Sequence, residues 1–147
     1  MQRGLDLTDS GTGTAVLLVA HGSRRARANE EVVEAARRLD ARFGAGPVVP
    51  CFLEIASPDI PSAFEKAAAD GCRRITVVPF FLTSGAHVTK DIPAILEKCR
   101  ARRPEIEVEI TPAVGPDPGL DEIAMRRILD SSKDMEPIPR LPGRSSK

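Results

Sequence analysis

Two uninterrupted apolar runs constrain the fold of this chain more than any other feature. They are TAVLLVA, over residues 14–20, and RITVVPFFL, over residues 74–82. A run without polar alternation is typical of a strand that is buried on both faces, as in a parallel sheet covered by helices. Weaker strand patterns occupy residues 47–54 and 105–115, and the second of these alternates strictly between apolar residues and glutamates.

Helical patterns separate these strands. Asn29 is predicted to cap a helix in which apolar residues recur every three or four positions and which ends at Gly44. Three further helices are predicted at residues 58–70, 91–102 and 118–129. The regular alternation of strand and helix predicts an α/β fold with a parallel sheet between two layers of helices.

The order of the strands is also predictable. The two continuous apolar strands belong in the centre, whereas Pro50 in the second strand cannot donate to a ladder and favours an edge. The alternating fourth strand suits the opposite edge. With right-handed crossovers the order is 2-1-3-4, as in a flavodoxin-like domain. Pro79 is expected to weaken the pairing of the third strand beyond Val78. We expect a flexible leader at residues 1–13, one domain at 14–130 and a disordered tail at 131–147.

Composition excludes several classes of protein. The 21 basic and 21 acidic residues cancel, so the chain lacks the basic excess of a nucleic-acid-coating protein. No apolar run approaches a membrane span, and the N-terminus has no signal-peptide core. The three cysteines form no C-x-x-C pair, which disfavours a disulfide framework or a thiolate zinc site. We therefore expect a cytoplasmic protein with no membrane or nucleic-acid partner.

The chain has only two histidines, and each follows a predicted central strand. His21 ends the segment AVLLVAH, His87 follows a short turn after the third strand, and Glu54 closes the second strand. Ligands of such sheets bind beyond the carboxyl ends of the strands, where the strand order reverses. Two imidazoles and a carboxylate suit a divalent first-row metal. The alternative is that the histidines are loop residues bonded to the backbone and that Glu54 is simply solvated.

Residues next to the histidines are candidates for binding an anionic ligand. Gly22 and Ser23 either make a turn or cradle an anion, and the arginines that follow can pair with carboxylates or remain surface charges. Phe80, Phe81 and Leu82 are expected to belong mainly to the core. The candidate ligand-binding residues are Ser23, Arg24, Arg25, Gly85 and Lys90, with Arg27 as a further basic residue.

Three longer segments together carry a family resemblance. LLVAHGSR, CFLEIASPDIPSAF and ITVVPFFLTSGAHVTKDIP resemble the small CbiX/SirB-type sirohydrochlorin chelatases, which are class II chelatases, over residues 15–129. The resemblance implies a chelatase fold and insertion of Co²⁺, Fe²⁺ or Ni²⁺ into sirohydrochlorin for cobalamin, sirohaem or coenzyme F430 synthesis. It also implies that His21, Glu54 and His87 handle the metal, that the metal is a substrate without an organic cofactor, and that single-domain members are homodimers.

Several alternatives to a chelatase remain open at this point. A metal or tetrapyrrole carrier could use the same histidines and glutamate without turnover. An α/β hydrolase is weakly supported, because Ser23 does not lie in G-x-S-x-G. A flavodoxin-like binding module is disfavoured for flavin, because the chain has no Trp or Tyr to stack on the ring. Neither the choice of metal nor the division of roles between the histidines follows from the residue types.

Overall fold

The computed structural model of the protein describes residues 13–134, which form a four-stranded parallel sheet with connecting helices. The strand order is β2-β1-β3-β4, as predicted. The strands are β1 (Thr14–Ala20), β2 (Val48–Phe52), β3 (Arg74–Pro79) and β4 (Glu107–Ile110), and the helices are α1 (Ala26–Phe43), α2 (Ile60–Ala69), α3 (Ile92–Arg102) and α4 (Pro118–Asp134).

The central strand β1 supplies side chains to two separate apolar layers. Leu17 and Val19 are fully buried in the layer that contains Phe64 of α2 and Ile92 of α3. Leu18 points the opposite way and packs in a smaller layer, which contains residues of α1. Because successive side chains of a strand face opposite sides, an apolar residue is needed at every position. This is why the continuous apolar pattern identifies the centre of the sheet.

Both outer strands match their predicted edge positions. Pro50 lies in β2, which stands at one end of the sheet beside β1, and the glutamates of β4 form side-chain bonds with the neighbouring strand β3. Arg74 Nε donates to Glu107 at 3.0 Å, and Thr76 Oγ1 donates to Glu109 at 3.0 Å. These polar contacts suit the solvent-exposed side of an edge strand.

The third and fourth strands are shorter than their sequence patterns. Pairing of β3 with β1 ends at Pro79, where the expected weakening occurs. The next residue, Phe80, still donates its backbone N–H to the Val19 carbonyl at 2.7 Å. β4 covers only Glu107–Ile110 of the predicted residues 105–115. Beyond it, the Val114 N–H reaches the Pro79 carbonyl at 3.0 Å in an irregular connection.

The prediction that Asn29 caps the first helix is wrong. The helix begins at Ala26, with Arg25 in the capping position, so Asn29 lies within its second turn. The Asn29 side chain instead binds the preceding loop: its Oδ1 accepts from the Ser23 N–H at 2.9 Å, and its Nδ2 donates to the Ser23 carbonyl at 2.7 Å. A short amide side chain can satisfy either kind of backbone group, so the residue type alone does not separate the two arrangements. Gly44 ends the helix in the left-handed conformation, as predicted.

The second helix begins later than its pattern indicated, whereas helical backbone begins before the predicted start of the third helix at residue 91. Asp59, not Pro58, caps α2, and its carboxylate accepts from the Ser62 N–H at 2.8 Å. A π-helical turn over His87–Asp91 precedes α3 and is continuous with it. Turns of this kind are rare in proteins, but those that occur are often found at functional sites.

Helix α4 belongs to a second compact unit, which begins at Asp117. It ends at Asp134 and therefore runs past both its predicted end near residue 129 and the predicted domain end at residue 130. Most of the predicted leader and the remainder of the predicted tail lie outside the described residues. Within residues 13–134, none of the helices combines the length and apolar character needed to cross a bilayer.

Candidate functional site

Main-chain pairing that continues past the ends of β1 and β2 brings His21 and Glu54 together. The Leu53 N–H donates to the Ala20 carbonyl at 2.8 Å, and the Glu54 N–H donates to the His21 carbonyl at 3.0 Å. The two side chains meet at the same edge, with His21 Nε2 lying 2.7 Å from Glu54 Oε1. Their proximity therefore follows from the strand register and not from the flexible side chains alone.

Gly22 allows the two loops to approach this closely. Its φ of +97° lies in the region that side-chain-bearing residues rarely adopt, and a Cβ built on it would lie 1.8 Å from the Glu54 carbonyl oxygen. The adjacent loop also contains an unusual backbone, because Ile55 has a φ of 72°. This β-branched side chain is 58% exposed beside the candidate ligand Glu54. Strained residues of this kind cluster at functional sites.

His87 reaches the same place from the third strand. It is the first residue of the π-helical turn, and its imidazole lies 5.1 Å from that of His21 between ring centroids, with an interplanar angle of 65°. The structure thus brings together His21, Glu54 and His87, as their positions after three separate strands predicted. Their individual roles as ligands or bases stay predictions.

A second carboxylate, that of Asp91, completes the cluster. Its Oδ2 lies 2.8 Å from His87 Nδ1. From the sequence, Asp91 was predicted only as the start of the third helix, and it also lies in the segment ITVVPFFLTSGAHVTKDIP. The pairing of His87 with Asp91 could have been predicted from their spacing of four residues, because side chains four positions apart lie on the same side of a helix.

Hydrogen-bond geometry assigns the hydrogens of His21. Its Nδ1 lies 2.9 Å from the Gly22 carbonyl oxygen. A carbonyl can only accept, so Nδ1 carries a hydrogen. Nε2 then faces the Glu54 carboxyl group, whose Oε1 lies 2.7 Å away.

The cluster is open to solvent. The side chains of His21 and Glu54 are 42% and 55% exposed. A cavity of about 330 Å³ lies alongside and is lined by Leu53, Glu54, His87, Asp91, Ala94 and Ile95. In residues 13–134, no three His, Cys, Asp or Glu side chains already surround a common point as metal ligands.

A larger groove of about 650 Å³ lies away from this cluster, along β4 and the start of β3. Its walls include the Arg74–Glu107 ion pair and the end of α3. It contains neither histidine, and two of its charged groups, Arg74 and Glu107, are paired with each other. The residue types therefore make the smaller cavity, which contains His87, the better candidate for the functional site.

The other predicted binding residues occupy the loops around the histidines. The Ser23 N–H is already donated to Asn29, and the Ser23 hydroxyl accepts from the Arg25 N–H at 3.1 Å, so this loop is less suited to cradling an anion than expected. Arg24 and Arg25 are exposed. Arg27 is exposed too and lies 3.8 Å from Glu31.

On the other side of the cluster, the Gly85 carbonyl accepts from the backbone of the π-helical turn, including the Thr89 N–H at 3.1 Å. Lys90 is an exposed residue of that turn. Both residues therefore flank His87, although their contact with a ligand stays a prediction.

The three cysteines are buried free thiols with raised pKa values. Burial, assisted by the charge of Asp59, raises the pKa of Cys51 to about 12. Burial also raises the pKa values of Cys72 and Cys99. Because the thiolate is the form that binds metal, these groups remain protonated and unsuited to ligation at neutral pH.

Comparison with known proteins identifies the family. A sequence model of the CbiX family matches residues 15–131. The sirohydrochlorin ferrochelatase of Priestia megaterium is 35% identical over 120 residues, which cover 82% of this chain and 45% of that protein. The sirohydrochlorin cobaltochelatase of Methanocaldococcus jannaschii is 42% identical over 83 residues, which cover 56% of this chain and 57% of that protein. The chain thus spans about half the length of these curated relatives.

Solved structures agree with the sequence comparison. The sirohydrochlorin chelatase SirB from Bacillus subtilis subspecies spizizenii, in complex with cobalt, superimposes with a TM-score of 0.77 at 30% identity, covering 81% of this chain and 51% of SirB. A CbiX protein from Marinobacter aquaeolei gives a TM-score of 0.67 at 28% identity, covering 81% and 96% of the two chains. Because the CbiX family model matches residues 15–131, which make up most of the chain, the chain belongs to the CbiX family.

Proposed function

We propose that this protein is a chelatase that inserts a divalent metal into sirohydrochlorin or a closely related polycarboxylate tetrapyrrole. The observation that carries the proposal is the cluster of His21, Glu54 and His87 at one open edge of the sheet. Relatives from a bacterium and an archaeon are named sirohydrochlorin ferrochelatase and cobaltochelatase, which supports the same substrate class here.

The histidine cluster contains the groups that metal insertion requires. The metal is a substrate, and the imidazole nitrogens and the Glu54 carboxylate are ligands that hold it weakly enough to release. Insertion also displaces two pyrrole protons from the macrocycle. The His21–Glu54 pair is suited to receiving protons, because Nε2 and Oε1 lie 2.7 Å apart at the open edge of the site. Transfer of the metal to the ring would free both the imidazole nitrogen and the carboxylate, and each could accept one of the two pyrrole protons.

Openness of the site suits a large planar substrate that must enter and leave. Arg24 and Arg25 follow His21 in an exposed loop, and Lys90 lies in the turn that begins with His87. We propose that these cations, with Ser23 and Gly85 nearby in the same loops, contact the carboxylates at the substrate periphery. Guanidinium groups pair with carboxylates in a bidentate manner, which would orient the ring as well as attract it.

The metal is proposed to be Co²⁺ or Fe²⁺, with Ni²⁺ as a further candidate, and no organic cofactor is required. Nitrogen and oxygen ligands accept all three ions, so cellular supply decides between them. The product would enter cobalamin or sirohaem synthesis. We also propose a cytoplasmic location, which is supported by three free cysteines, since thiols stay reduced in that compartment.

We propose that the active form is a homodimer. Within its own unit, α4 exposes large apolar side chains: Ile123, Met125, Ile128 and Leu129 are 42% to 67% exposed. Burying such a face against a second copy about a twofold axis would stabilise both chains. Light scattering at micromolar concentration should give twice the chain mass. A fully active monomer would contradict the proposal.

An insertion assay tests the proposed activity. Purified protein is mixed with sirohydrochlorin and Co²⁺, Fe²⁺ or Ni²⁺, and the absorbance of the metallated ring is followed against a protein-free control. We expect many turnovers per chain with at least one metal. A single stoichiometric burst without further turnover, or an unchanged rate together with binding of the metal or the ring, would indicate a carrier. An unchanged rate without binding would exclude both functions for this substrate.

A further inference from the structure

We propose that Asp91 is a positioning residue, which fixes the tautomer and orientation of His87 so that His87 Nε2 faces the metal. The inference rests on the proposed function and assigns a role to a residue that the sequence analysis did not single out. Asp91 does not need to touch the metal or the tetrapyrrole for this role.

The contact between Asp91 and His87 determines where the imidazole hydrogen lies. Asp91 Oδ2 is 2.8 Å from His87 Nδ1, and both side chains are about half exposed. An ionised carboxylate can only accept, so the hydrogen lies on Nδ1 and Nε2 keeps its lone pair. Metal-binding histidines typically donate their other ring N–H to an oxygen in this way, which orients the ring and makes it a better ligand.

Asp91 has no competing structural task in its own helix. It is the residue immediately before α3, a position in which aspartate often caps the helix, yet its side chain makes no capping hydrogen bond. In residues 13–134, its side chain has one hydrogen-bond partner, His87. The π-helical turn ends with the Ile92 N–H bonded to the His87 carbonyl, and this turn holds both residues in place.

His21 has the same arrangement through a different acceptor. Its Nδ1 binds the Gly22 backbone carbonyl at 2.9 Å. In both histidines, therefore, an oxygen acceptor occupies Nδ1, while Nε2 of His21 faces Glu54 Oε1 at 2.7 Å. The Nδ1 acceptor of His21 belongs to the main chain, so only the Nδ1 acceptor of His87 can be removed by substitution.

The experiment compares Asp91→Ala and Asp91→Asn with the unmodified chain. Asparagine keeps an oxygen acceptor for Nδ1, whereas alanine removes it. Asp70→Ala is the matched control, because Asp70 also accepts a hydrogen bond from the side chain four positions earlier, that of Lys66, at 2.8 Å, but at the end of α2. Each protein is studied as the full chain with any histidine tag removed.

The decisive measurement is the ring nitrogen NMR spectrum of the metal-free protein at about pH 8.5, where imidazoles are neutral. The chain has only two histidines, so His21→Gln assigns the signals. We expect the Nδ1–H tautomer for His87 in the unmodified chain, in Asp91→Asn and in Asp70→Ala. Asp91→Ala should shift His87 toward the Nε2–H tautomer, which a free imidazole favours.

Metal binding and turnover provide the functional readout. By calorimetry without tetrapyrrole, Asp91→Ala should weaken Co²⁺ binding about 10- to 100-fold, and Asp91→Asn much less. With sirohydrochlorin, kcat should fall in Asp91→Ala while the KM for the ring stays unchanged. Equal losses in the alanine and asparagine variants would show that the charge matters more than the hydrogen bond and would overturn the inference.

The outcomes separate this inference from the proposed function. An Nε2–H tautomer for His87 in the unmodified chain overturns the positioning role, whatever the activity and whether or not the Asp91 variants fold. If the unmodified chain does not metallate sirohydrochlorin, the proposed function fails, while the tautomer and the Co²⁺ affinities still decide the role of Asp91.

Discussion

The imidazole rings of His21 and His87 meet edge to face, with 5.1 Å between their centroids. Each ring follows one of the two central strands of the sheet, so their contact lies at the point where the strand order reverses. Glu54 reaches His21 from the neighbouring strand. The sheet thus brings three residues that are far apart in the sequence together in one polar cluster.

Removing either histidine should abolish most metal insertion. We expect His21→Ala and His87→Ala to lower the rate at least about a hundredfold, since each removes a metal ligand or a base. The melting temperature should change little, because both side chains are substantially exposed. Rate assays combined with thermal unfolding check this. Full activity in both variants would contradict the site, and a large loss of stability would favour a structural role.

Gly22→Ala should lower both stability and activity. Its φ of +97° costs alanine about 1–3 kcal/mol, and the new Cβ would also collide with the Glu54 carbonyl oxygen. Gly71→Ala is a matched control, since Gly71 has a φ of +96° but no atom within 4 Å of the added Cβ. Urea unfolding should show a smaller loss of stability for Gly71→Ala than for Gly22→Ala, and Gly71→Ala should retain activity. Equal losses of stability in the two variants would mean that the contact with Glu54 is unimportant.

Neutralising Arg24 or Arg25 should weaken substrate binding more than turnover. Each glutamine variant should raise the KM for sirohydrochlorin by up to about fivefold at low salt, which corresponds to about 1 kcal/mol for an exposed ion pair. High salt should shrink the effect, because it screens exposed charges. Arg42→Gln, in the last turn of α1, serves as the control. An unchanged KM in both variants would leave these arginines as surface charges.

Asp59→Ala should destabilise the protein by about 1 kcal/mol at neutral pH through loss of the α2 cap. Hydrogen bonds from Ser62 hold the pKa of Asp59 below its ordinary value of 3.8. The stabilisation is therefore complete above that value and disappears as pH falls through the lower pKa of the folded state. Denaturant unfolding from pH 7 down to acid should show the difference between the two proteins shrinking. A difference that grows toward acid pH would refute this explanation.

Ile55→Gly should relieve backbone strain without loss of stability. The φ of 72° costs isoleucine about 1–3 kcal/mol, whereas glycine adopts it freely at an entropic cost of about 0.5–1 kcal/mol. The melting temperature should stay constant or rise. If the exposed side chain contacts the flat face of the tetrapyrrole, the KM should increase at the same time. A clear drop in melting temperature would show that Ile55 packs more than its exposure indicates.

The α/β fold, the strand order and the shared edge of the candidate site were predictable from residue types. Continuous burial of Leu17, Leu18 and Val19 requires a central strand with helices on both faces. Pro50 and the alternating glutamates of β4 suit edges for reasons that hold in any parallel sheet. With that order, His21 and His87 had to emerge on neighbouring strands.

Tertiary structure alone decided the contacts that depend on the path of each loop. Asn29 had several backbone groups within reach, and only the folded loop shows that it binds Ser23 and not the helix end. Similarly, the need for glycine at position 22 comes from the Glu54 carbonyl in another segment. The pairing of His87 with Asp91 depends on a π-helical turn, which the periodicity of the sequence does not predict. Burial patterns determine which segments meet, whereas ring orientations and hydrogen positions depend on differences of an ångström or less between loops.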